Sequence, residues 1–119
     1  MSNLSELLPA GGGGKNVNFV ASGTLGNGVT VALNSDGTVS AVSSGASNYT
    51  DFIGITDAAI SDTASGSVTI KGGISTNVTG LTAGTDYYVQ DDGSLSTTVS
   101  DVFAGTALSS TSINLDYTT

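Results

Sequence analysis

The chain contains no cysteine, no histidine, no tryptophan and no arginine, and its only basic side chains are Lys15 and Lys71. Each absence removes a chemistry. Without Cys and His there is no thiol nucleophile, no Ser-His-Asp triad, no ordinary zinc site and no c-type haem attachment. Ten acids against two lysines leave a net charge of −8, which repels phosphate and offers no basic footprint to DNA or RNA. No run approaches the roughly 18 apolar residues of a membrane helix. The N-terminus has neither the positive region nor the apolar stretch of a secretory signal. These absences read as a non-enzymatic protein made in a cytoplasm, with no catalytic residue, cofactor or metal, and with neither nucleic acid nor membrane as partner.

Helix-surface residues are also scarce, with one Glu, two Lys and no Arg, whereas Val, Thr and Ile abound. β-branched residues suit a pleated, half-buried surface. At 119 residues the chain fits one domain, and the expected class is all-β, a small β-sandwich or β-barrel-like domain. Short apolar alternations predict strands at Val17 to Ala21, Val29 to Leu33, Thr38 to Val42, Phe52 to Ile55, Ser67 to Lys71, Asp86 to Gln90, Ser94 to Thr98, Val102 to Leu108 and Ser112 to Leu115. Asn34-Ser35-Asp36-Gly37 and Asp91-Asp92-Gly93 predict two hairpin turns, with positive φ at Gly37 and Gly93. Phe52, Ile55, Phe103 and Leu108 are the expected centre of the core.

The N-terminus differs from the rest. Residues 2–8 suit a short helix, with Asn3 and Glu6 as a capping box and Pro9 as its stop. Leu4, Leu7 and Leu8 then share one face. Gly11 to Gly14 follow as a flexible tether. The expected organisation is a docking arm and tether over 1–16 and a β domain over 17–119. Two turns of helix do not persist alone, so the three leucines are the candidate partner-docking residues.

Within the β domain, Leu25 to Ser40 aligns with Leu81 to Ser96, sharing Leu, Gly, the Asp-Gly turn and the final Ser. Each hairpin is followed by a Phe-X-Gly run, at Phe52 and at Phe103. This reads as an internal duplication of about 25–70 and 81–115.

Other motifs reduce to plain readings. Pro9 to Asn16 lacks the first Gly and the Ser or Thr of a phosphate loop and is a linker. The Asp-Gly turns present oxygens to a hard cation but lack the further ligands and closing Glu of an EF-hand, so they read as turns. The pairs Asp57/Asp62 and Asp91/Asp92 suggest glycosidase carboxylates, yet the aromatic platforms that usually grip a sugar are sparse.

From Val29 to Leu108 the chain resembles the head decoration (cement) proteins of lambda-type tailed bacteriophages. The shared features are V-x-L-x-x-D-G-x-V-x-x-V over Val31 to Val42, Gly54-Ile55, the small residues from Asp57 to Ile60, Val68 to Gly73, and Phe-Ala-Gly-Thr-Ala-Leu from Phe103. The segment Tyr87 to Thr98 departs from that pattern and looks more like modules of marine phage structural and tail-fibre proteins. The resemblance implies a homotrimer on the outer surface of a virion capsid, made in the bacterial host cytoplasm. Its partners would be its own copies and the major capsid protein. The alternative is a tail-fibre or adhesin-type module that binds a host receptor.

Overall fold

A computed structural model describes residues 15–116. Its strands are β1 (Asn16–Val20), β2 (Thr30–Leu33), β3 (Val39–Ala41), β4 (Phe52–Thr56), β5 (Ser65–Ile70), β6 (Ile74–Ser75), β7 (Asp86–Val89), β8 (Leu95–Ser96), β9 (Phe103–Ser109) and β10 (Ser112–Leu115). A 3-10 turn at Tyr49–Asp51 leads into β4. Two five-stranded antiparallel sheets pack together, ordered β1-β5-β4-β2-β3 and β6-β10-β9-β7-β8. The fold is an all-β sandwich.

The two orders are one pattern used twice. Each sheet runs first, fifth, fourth, second and third along its own strands. The registers agree as well. Thr30, Val31 and Ala32 face Ile55, Gly54 and Phe52; Asp86, Tyr87 and Tyr88 face Thr106, Gly105 and Phe103. Both pairings carry a bulge at the same step, between Val31 and Ala32 and between Tyr87 and Tyr88. The glycine of each Phe-X-Gly run has a steric cause. A Cβ on Gly54 would sit 2.2 Å from the Thr69 carbonyl oxygen, and one on Gly105 1.9 Å from that of Asn114. Those carbonyls belong to the neighbouring strand, so neither can move aside without opening the ladder.

Both Asp-Gly turns form as expected. Gly37 N–H donates to Asn34 O and Asn34 N–H to Thr38 O; Gly93 N–H donates to Gln90 O and Gln90 N–H to Ser94 O. Gly37 and Gly93 hold φ of 88° and 90°, the left-handed position that closes a three-residue hairpin loop. The flanking strands are shorter than the sequence pattern suggests. Thr38 to Val42 reduces to β3 and Ser94 to Thr98 to β8, whereas β6 was not anticipated from the sequence.

The sheets stack in one direction. Sheet 1 curls until a parallel bridge between Ala21 and Val39 brings its edges together. Its inner face, with Val31, Val39 and Val68, is sealed by Leu25 and Ile60 from the loops. Its outer face carries Ala32, Phe52 and Ile55, which join Val42 in a second core with Tyr87, Val89, Ala107, Ile113 and Leu115 from the inner face of sheet 2. Burying each large apolar side chain contributes about 1.5–3 kcal/mol.

Two core expectations need correction. Phe52 and Ile55 are buried, at 5% and 0% exposure, but Leu108 is 52% exposed and Phe103 is half-buried. Along β9 the period of two turns Ala107 inward and Thr106 and Leu108 outward. No third layer covers that outer face among the described residues.

Candidate functional site

The expected docking residues Leu4, Leu7 and Leu8 lie outside the described residues. The chain enters the fold at Lys15, whose carbonyl accepts from Ile70 N–H and whose side chain lies beside Gly72.

The carboxylates considered for catalysis do not converge. Asp57 accepts hydrogen bonds from Asn16 Nδ2, Ser67 Oγ and Thr69 Oγ1, and its carbonyl accepts from Asn77 Nδ2. It is a polar tie between β1, β5 and the start of the second unit. Asp62 accepts instead from Gly23 N–H at 2.8 Å. Among the described residues no three His, Cys, Asp or Glu side chains gather to hold a metal.

The Asp-Gly turns use their acids locally. Asp36 Oδ1 accepts from Thr38 Oγ1 at 2.6 Å and from Thr38 N–H at 3.0 Å. Asp92 Oδ1 accepts from Ser94 Oγ at 2.7 Å and Ser94 N–H at 2.9 Å. The Thr38 hydroxyl, aided by its amide, holds the Asp36 carboxyl below its ordinary value. The Ser94 amide and then its hydroxyl do the same for Asp92, because both bonds favour the charged form. Near the second turn, Tyr49 donates its hydroxyl to Asp101 at 3.1 Å, and that bond raises the phenol above its ordinary value.

Two features remain as candidate sites. The first is a cleft of about 490 Å³ where the units meet, lined by Asn27, Gly28, Thr30, Asn77 to Leu81 and Gly93 to Leu95. Its walls combine amides, hydroxyls and backbone with apolar Val78, Leu81 and Leu95, and carry no charged side chain. Thr30 donates to Gly93 O across the seam at 2.6 Å and fixes the second hairpin against the first unit. The second feature is the outer face of sheet 2. Ile74 is 40% and Leu108 52% exposed, and Tyr88 packs edge-on against Phe103 with ring centroids 5.4 Å apart. Asp86 and Thr106 share this face and bond at 2.7 Å.

Sequence reasoning missed this face. Its signal was present in the alternation of β9 and in the repeat itself, where apolar Ile55 is replaced by Thr106 and Thr30 by charged Asp86. No family model, curated protein or solved structure matches the chain.

Proposed function

We propose that the chain is a non-enzymatic virion structural protein that coats the outside of a phage capsid and stabilises it by binding the major capsid protein. The observation that carries this reading is the uncovered, partly apolar outer face of sheet 2. Exposed apolar side chains on one face of a sheet, here Ile74 and Leu108, suit contact with another macromolecule, a second copy included. The apolar arm residues Leu4, Leu7 and Leu8 supply a second attachment point. Each leucine buried in the shell contributes about 1.5–3 kcal/mol, less the cost of ordering the arm. Several such contacts on one lattice add through effective concentration.

Gold-labelled protein on negatively stained particles of the encoding phage tests the reading. Label over the head supports it. Deletion of residues 1–14 should weaken attachment while leaving the melting temperature of the domain unchanged. Coating at the same concentration by the truncated protein contradicts the role of the arm.

The seam cleft favours a second reading, a fibre or adhesin module. Its uncharged lining, amides and hydroxyls beside apolar Val78, Leu81 and Leu95, suits a polyol ligand such as a host glycan. Label at the tail tip, together with glycan binding lost in Asn77→Leu, would support that reading over the first.

A further inference from the structure

We propose that the outer face of sheet 2 is a self-association surface, on which a second copy of this chain packs the same face about a two-fold axis. The argument starts from the repeat. In the first unit the equivalent face carries Ala32, Phe52 and Ile55, and it is buried against the second unit. In the second unit the face carries Tyr88, Phe103, Ile74 and Leu108 together with the bonded Asp86–Thr106 pair, and no further sheet among the described residues covers it. The surface therefore continues an interface that the chain already makes once within itself.

The choice of occupant follows from the direction of stacking. A neighbour continuing the stack would have to offer the inner face of its first unit. That face is closed, because the Ala21–Val39 bridge curls the sheet and Leu25 and Ile60 seal it. Open-ended stacking of like units is thereby excluded. The remaining match between copies is outer face to outer face, which is isologous and closes on two. The edges of sheet 2 are poorer contacts, since β6 and β8 are two residues each and offer little ladder to pair.

Strand spacing and rise make the face about 19 Å by 23 Å. That is below the roughly 800 Å² per partner of a standard interface. The pair should accordingly form at hundreds of micromolar rather than nanomolar concentration, a regime that a crowded surface supplies. The coat reading takes this face as a macromolecular contact; here its occupant is a second copy, which leaves the arm as the contact with the shell.

Sedimentation velocity of the full chain from 5 to 500 µM tests it. The expected result is a monomer–dimer equilibrium that weakens at least ten-fold in Ile74→Asp with Leu108→Asp. Both positions are exposed, so the variant should keep the wild-type melting temperature. Val99→Asp removes a side chain that is 75% exposed but lies outside the strands, and should leave the equilibrium unchanged. A wild-type chain monomeric at 500 µM overturns the proposal, as does a dimer indifferent to the double substitution. A trimer overturns the two-fold pairing. A face that associates only after residues 1–14 are removed would show that the chain's own arm covers it.

Discussion

The two five-stranded units share strand order, register, bulge and turn, yet they differ in what each buries. The first has its inner core sealed by its own loops and Ala32, Phe52 and Ile55 of its outer face covered by the second unit, with exposed Val17, Val20 and Leu33 at its margins. The second has an inner core but an open outer face. β1 has five residues and reaches far enough for Ala21 to bridge to β3. Its counterpart β6 has two, and sheet 2 stays open. Equivalent positions thus have the same backbone role and different side-chain environments. The stacked pair leaves one face that no further sheet among the described residues covers.

The largest expected contrast is between the two phenylalanines. Phe52→Ala should cost about 3–5 kcal/mol, because it empties a closed core. Phe103→Ala, at the counterpart position, should cost about 1–2 kcal/mol, since water already reaches that side chain. Urea denaturation of both variants measures the difference, and equal losses would break the comparison.

A smaller contrast lies at the turn glycines. A Cβ on Gly37 meets nothing within 4 Å, whereas one on Gly93 would lie 2.5 Å from the Val42 carbonyl oxygen across the seam. Gly37→Ala should cost about 1 kcal/mol from its positive φ alone. Gly93→Ala adds the clash and should cost about 2–3 kcal/mol. If the order were reversed, the second hairpin would not be packed against the first unit.

Smaller still is the effect of acid on the turns. Asp36 and Asp92 both titrate below the ordinary 3.8 in the fold. Their contribution is therefore complete above that pH and is lost as pH falls through the lowered values. Asp36→Asn with Asp92→Asn should flatten the dependence of melting temperature on pH below 3.8. An unchanged slope would assign the acid sensitivity to other carboxyls.

Much of this fold was legible in the chain. The Asp-Gly turns and the Leu25/Leu81 alignment locate both hairpins, because turn chemistry is local. The Phe-X-Gly runs also read correctly as central strands. The sides they present did not, because Leu108 ends an apolar run and burial depends on which sheet lies opposite. β6 was invisible, since two residues carry no period. The outer face could have been found by comparing the repeats, where Ile55 becomes Thr106 and Ala32 becomes Tyr88. The candidate docking residues Leu4, Leu7 and Leu8 stand apart, on a segment outside residues 15–116.

The most direct test of the asymmetry uses the absence of native cysteine. Ile55→Cys and Thr106→Cys place one thiol at equivalent positions of the two units. Maleimide labelling of each variant at 5 µM, where copies are dispersed, reads whether the face is open. The thiol at 106, at a half-buried position on the open face, should react without any opening of the fold. The thiol at 55 should react only as fast as the protein opens, slower by a factor of 100 or more, roughly what an opening free energy near 3 kcal/mol implies. Similar rates at the two positions would contradict the account, because the units would then not differ in what covers them.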